Sequence, residues 1–348
     1  MRLAVLLILL STLGLSSCSH LSYYTQGIKG HVELVNKRQA IPQLLTDNNV
    51  SPLRKKQLKE IITIRQFAKT HLALPDNGSY QSFVELGRDA VTWNIVATPK
   101  YKMVAKRWYF PIVGHLSYKG FFNQTLAKRN AQQLTHAGYD VFLAESTAYS
   151  TLGWFSDPVV SPMLKHGTIL AAETIFHELA HQRLYFPSDS TFNEAFATAV
   201  GQEGTRLWLK QYHPNKLATY DAYQVKQQAF LQLLLKTSQK LQKYYTESVK
   251  KSLSDDQKEH GKQAIFQQLR HDYALLKQHW QGDSRYDTWF DKPVNNARLI
   301  LIGVYHQYVA DFKRHLRNHH HGDFAAFYQA MQQLRDKKPQ ARYAYLAQ

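Results

Sequence analysis

The chain has 348 residues, 43 lysines and arginines against 26 acids, a formal charge of +17 and one cysteine. One cysteine excludes a disulfide framework, and the length allows one large unit or two modest ones with real cores. The basic balance suits a soluble face near anionic lipid, and because no groove-binding motif accompanies it, nucleic acid is excluded as a partner.

Residues 1–17 read as a leader. Met1-Arg2 gives a short positive start and Leu3 to Leu15 is almost wholly apolar. Such a run is too short to span a bilayer and suits a signal-peptide core. Leu15-Ser16-Ser17-Cys18 resembles the bacterial lipobox, in which small residues precede the cysteine that becomes the lipidated N-terminus; a plain signal peptide with an incidental cysteine is the alternative. The resemblance implies a membrane anchor at Cys18. Ser19 stands where an inner-membrane retention signal has Asp, which implies the outer membrane, facing the periplasm.

From Cys18 to Gln348 the expected unit is continuous, with 19–90 an N-terminal helical region, 91–166 a small sheet, 167–212 a pair of helices and 213–348 a helical C-terminal region. Residues 19–30 read as a tether or first loop. Val32 to Leu45 and Pro52 to Leu74 have helical spacing, with Ile61, Ile64, Ala68 and Leu72 as an apolar stripe. Pro75-Asp76-Asn77-Gly78-Ser79 is a break. Thr92 to Thr98, Trp108 to Val113 and Asp140 to Tyr149 are rich in β-formers. Asn123 to His136 between them reads as a crossover helix ending at Gly138. Thr168 to Leu184, Thr191 to Gln211, Leu217 to Ser252, Asp255 to about Trp280, Asn295 to Leu316 and Asp323 to Leu334 read as helices, with 224–280 a solvated arm. The fold class is α+β, mainly α-helical, with a small sheet beside a helical hairpin.

The chemistry is concentrated at His177-Glu178-Leu179-Ala180-His181. Positions i and i+4 share one helix face, so two neutral imidazoles grip one Zn²⁺ while Glu178 turns toward a water on the same ion. A zinc hydrolase needs a third protein ligand and one open position. Pro187-Ser188-Asp189-Ser190 marks a turn, and Ser190 is the expected cap of the next helix. His181 lies about one turn before its helix ends and Glu194 about one turn after the next begins, so an antiparallel hairpin brings them level. Glu203 lies nine residues beyond Glu194 on the opposite face and is excluded as a ligand. Glu173, four before His177, is expected to orient an imidazole from behind, or to be an exposed helix acid.

His177-Glu178-Leu179-Ala180-His181-Gln182 followed by Phe192-Asn193-Glu194-Ala195-Phe196-Ala197 resembles the gluzincin metallopeptidases, whose aminopeptidases carry a similar H-E-L-x-H and a downstream N-E-x-F-A. Tyr149 to Phe155 with Asp157-Pro158, Val113-Gly114-His115 with Tyr118-Lys119-Gly120, and Asn295-Asn296-Ala297 resemble a bacterial family of predicted aminopeptidase lipoproteins, over most of the mature chain. The link from His181 to Glu194 is shorter than in well-known aminopeptidases. The resemblance implies a zincin-like hairpin, one Zn²⁺ per chain held by His177, His181 and Glu194, and a peptide substrate. Glu178 is then the general base, and a tyrosine or histidine downstream donates to the oxyanion, with Tyr305 the choice and His306 and Tyr308 its rivals. Substrate backbone is expected along Tyr149 to Phe155, where Gly153 permits close approach and Trp154 and Phe155 either line the pocket or are simply core. Glu145, on the strand leading there, is the candidate acid for a free α-amine. Three functions follow: an envelope aminopeptidase on short peptides, an endopeptidase on envelope proteins or peptidoglycan peptides, and a peptide-binding or partner-binding lipoprotein without turnover.

Overall fold

The computed structural model describes residues 22–348 except 112; Cys18 and the leader expected from the sequence lie outside the described residues. Helix α1 occupies 22–36, where the sequence read a tether up to residue 30. The reason is tertiary. Gly30 lies so close to Phe122 that a Cβ would overlap its ring, and Gln26 Oε1 accepts from the backbone N–H of Phe122 at 2.8 Å.

Strand β1 (Gln39–Ala40), helices α2 (Ile41–Thr46) and α3 (Pro52–Leu72) and strand β2 (Ser82–Val84) follow. Ser51 caps α3 by accepting from Arg54 N, with Pro52 in the first turn and Ala73 left-handed at its end. Next come β3 (Thr92–Pro99), β4 (Trp108–Phe110), β5 (Gly114–Leu116), β6 (Lys119–Phe121), α4 (Gln124–His136), β7 (Tyr139–Ser146) and β8 (Val159–Val160). Strand β3 is central in its sheet, with β6 and β7 antiparallel on either side and α4 as the crossover between them. The β4–β5 hairpin forms its own two-stranded sheet, and β2 joins β1 to β8 in a third.

The rest is helical: α5 (Ser161–Leu164), α6 (Thr168–Arg183), α7 (Ser190–Tyr212), α8 (Pro214–Lys250), α9 (Asp255–His279), α10 (Asn296–His306), α11 (Val309–Arg314), α12 (Phe324–Gln332) and α13 (Pro339–Leu346). The cap of α7 is Asp189, not Ser190: its carboxylate accepts from Phe192 N. The expected helix from Asn295 to Leu316 is divided into α10, α11 and a π-helical stretch at His315–His319. Helix α13 went unread in the sequence. Helices α8 and α9 pair around Phe230, Leu234, Leu241, Phe266 and Leu269, so the arm carries a small core of its own, and Ser254 and Gln257 close a capping box at the start of α9. Among the described residues no helix is long and apolar enough to cross a membrane. The main core packs α3, α6, α7, α11 and α12 through Ile64, Phe67, Phe176, Phe196, Phe312 and Phe327.

Candidate metal centre and its cleft

Small residues bring the two site helices together. A Cβ on Gly201 of α7 would stand 2.8 Å from the backbone oxygen of Glu173 and 3.3 Å from Cβ of His177. One on Gly204 would stand 2.6 Å from Leu72 and 3.0 Å from Phe176. Neither glycine has a positive φ; both are needed for space, because helices approach this closely only where side chains are absent.

The turn between the helices is held by Asn193. Its Oδ1 accepts from Phe186 N at 2.8 Å and its Nδ2 donates to Phe186 O at 2.8 Å. This clasp sets the first turn of α7, and with it Glu194. Asp189 anchors the same turn to the C-terminus, accepting from Arg342 at 2.7 Å and from the Tyr343 hydroxyl at 2.6 Å.

The result is a three-ligand constellation. Nε2 of His177 and Nε2 of His181 lie 3.1 Å apart, and Oε2 of Glu194 lies 3.3 Å and 3.5 Å from them. Ligand atoms bound tetrahedrally at about 2.0–2.1 Å stand roughly 3.3 Å from one another. Two imidazoles and a carboxylate at these separations therefore fit a divalent ion such as Zn²⁺. The His177 Nδ1 meets the Thr198 hydroxyl at 3.4 Å, which leaves Nε2 free to ligate. Burial works against charge on Glu194, yet the two imidazoles overcome it and hold the carboxyl at about 2. Burial likewise opposes a proton on His181, and Glu194 outweighs it and raises the imidazole. Both shifts mark a pocket in which one carboxylate attracts positive charge.

The centre opens on a cleft of about 980 Å³. Its walls are largely aromatic and aliphatic, with Tyr23 and Ile28 from α1, Phe110 and Leu116 from the β4–β5 hairpin, and Phe122 and Tyr149 opposite. No lysine or arginine is among the described residues lining it, although Glu173, Glu178 and Glu194 are.

The other sequence candidates divide. Tyr305 lines the cleft, its ring 6.5 Å from that of His177 and inclined by 16°. Burial first, and then the charge of Glu194, raises its phenol well above 10, so it keeps a proton to donate. His306 also lines the cleft, and burial followed by the charge of His177 presses it down to about 4. Tyr308 is outside the lining and stacks on Tyr343 with ring centres 4.3 Å apart. Tyr149 lines the cleft on the loop after β7, but Gly153 and Trp154 are outside it, beside Arg38 and Asn77 in a second, smaller pocket. Trp154 is 68% exposed, against the expectation that it lines the cleft or is core. Gly153 has φ +84°, so glycine serves a left-handed turn there.

Glu145 is not on the cleft side. It pairs with Trp93 across β3 and β7 and is exposed, whereas its neighbour Ser146 pairs with Thr92 and both line the cleft. The side-chain period of two sends Glu145 to the other face. Glu173 does not touch an imidazole nitrogen: Thr198 does that. Its carboxylate accepts instead from Tyr220 at 2.7 Å and Gln224 at 3.3 Å, both on α8. Glu203 forms a two-pronged pair with Arg317 at 2.8 and 2.6 Å, a structural role on the far face of α7.

Thr198, Tyr118 and Tyr185 were not singled out as site residues. Tyr118 lines the cleft, and burial, then Glu194, raises its phenol well above 10. Its place in Tyr118-Lys119-Gly120, beside the glycine opposite Asn94 in β3, was the one available signal. Residues 22–346 match the model of a family described as putative aminopeptidase. No curated protein and no solved structure matches the chain.

Proposed function

The chain belongs to that aminopeptidase family, and from this premise we propose that it is a zinc-dependent peptidase of the gluzincin kind, removing N-terminal residues from short peptides in the bacterial cell envelope. The observation that carries the reading is the convergence of His177, His181 and Glu194, whose ligand atoms lie within 4.8 Å of one another. A bound Zn²⁺ would activate a water and polarise the scissile carbonyl. Glu178, beside the ligands and lining the cleft, takes the proton of the attacking water and returns it to the leaving amine. Tyr305 donates to the oxygen that gains charge at the carbonyl. The loop carrying Tyr149 receives the peptide, and the apolar walls receive its side chains.

The envelope assignment is drawn from Leu15-Ser16-Ser17-Cys18: a lipid chain on Cys18 holds the enzyme at the outer membrane, on its periplasmic side. Digestion of a peptide library by the wild type and by Glu178→Gln, read by mass spectrometry, tests the activity. Single-residue losses from the N-terminus in the wild type alone support it. Internal cuts make the enzyme an endopeptidase, and identical blank digests make it a binding protein.

A further inference from the structure

Glu173 is half-buried and opens on the cleft. Its hydrogen-bond partners, Tyr220 and Gln224, are neutral. Among the described residues it makes no ion pair; Lys313, the lysine whose charge acts on it, is matched with Glu203 at 3.7 Å and is outside the cleft lining. A half-buried carboxylate held by neutral donors lacks the counter-charge that its burial calls for. Burial accordingly pushes its carboxyl above the usual range.

The other two carboxylates of the cleft have work to do, Glu194 as a ligand and Glu178 as the base. Glu173 is the one left for a cation in a cleft whose described lining holds no lysine or arginine. Its position along α6 also matters. Four residues before His177, its backbone is about 6 Å along the helix from that of His177, the nearer imidazole of the centre. One extended peptide residue covers about 3.5 Å, and a charge-assisted hydrogen bond adds about 2.8 Å. An ammonium group seated on Glu173 thus brings the first peptide carbonyl level with His177, on the centre's near side.

We propose that Glu173 is the anchor for the protonated α-amine of a peptide's first residue, the role that Glu145 cannot fill from the opposite face of its sheet. The proposal deepens the peptidase reading and rests on it. Tyr220 and Gln224 position the carboxylate, and the anchor closes one end of the cleft, so that a single residue fits between it and the bond attacked. An N-acetylated peptide has no charge to offer and loses this contact.

The test compares one short apolar peptide with its N-acetylated form, using the full chain loaded with Zn²⁺. Affinity is measured on Glu178→Gln, where binding is separated from turnover. The expected result is about 10- to 100-fold weaker binding of the acetylated peptide, with the difference collapsing in Glu178→Gln/Glu173→Gln. Glu173→Asp in the same background retains the charge and is expected to keep part of the preference, which a purely structural role for Glu173 would not produce. Equal affinity for the two peptides, or a preference that survives Glu173→Gln, overturns the anchor. If the wild type hydrolyses both peptides alike, the peptidase reading stands and the anchor fails. If it hydrolyses neither while the amine preference is present and depends on Glu173, the anchor stands and the peptidase reading fails.

Discussion

Asn193 grips the backbone of Phe186 through both ends of its amide, donating to the carbonyl and accepting from the N–H, each at 2.8 Å. The two residues close the turn between α6 and α7, and the next side chain along is the proposed ligand Glu194. Replacing Asn193 with Leu leaves two buried backbone groups without partners. Each orphaned group costs about 1–3 kcal/mol. Asn193→Leu is therefore expected to lower the thermal midpoint and weaken zinc binding together, measured by calorimetry and metal titration.

Gly201 controls the spacing between the same helices. A methyl group there meets the Glu173 carbonyl at 2.8 Å, and neither partner is a flexible tip. Gly201→Ala is expected to cost about 1–3 kcal/mol as an overpacking change, even though alanine favours a helix. Because the strain falls between Glu173 and His177, zinc affinity should fall as well. Denaturant unfolding and a zinc competition assay read the two effects separately.

Arg342 and Asp189 form a buried pair, their side chains 9% and 5% exposed. Removing the arginine leaves a buried carboxylate whose remaining partners are the Tyr343 hydroxyl and Phe192 N. Arg342→Ala is expected to destabilise the protein by about 3–5 kcal/mol, seen as a shift in the denaturant midpoint. A loss below about 0.5 kcal/mol, the level of an ordinary surface change, would remove α13 from the support of the site.

Asp157 supplies a pH dependence. Burial raises its carboxyl to about 6, against the hydrogen bonds from Thr151. An unfolded aspartate titrates near about 3.9. Between these values the folded chain holds a proton that the unfolded chain has released, so stability falls as pH rises from about 4 to 6. The loss is on the order of 2–3 kcal/mol. Asp157→Asn carries no such proton and should show a smaller fall in thermal midpoint between pH 4 and pH 7 than the wild type.

Helices with strong periodicity and caps were legible in the sequence, α4 and the α6–α7 pair most clearly. Glu194 was reachable by counting turns, since helical rise and hairpin geometry are local rules. What failed depended on distant contacts. Helix α1 hides behind Gly27 and Gly30, and its folding rests on contacts with residues near 122. Which face Glu145 takes is not legible locally, because the phase of β7 is set by its register with β3, which pairs Glu145 with Trp93. Helix α13 is short, and the pair that fixes it spans Asp189 to Arg342. Thr198 carries no spacing signal of its own; it becomes visible only when α7 lies against His177.

The central claim is that His177, His181 and Glu194 hold one Zn²⁺. Zinc content per chain, measured by plasma mass spectrometry after exhaustive dialysis, tests it most directly in the wild type beside His181→Ala and Glu194→Ala. The account predicts about one zinc per wild-type chain and a large loss in both variants, with folding checked by circular dichroism. Equal zinc in all three proteins, or none in the wild type, would contradict it.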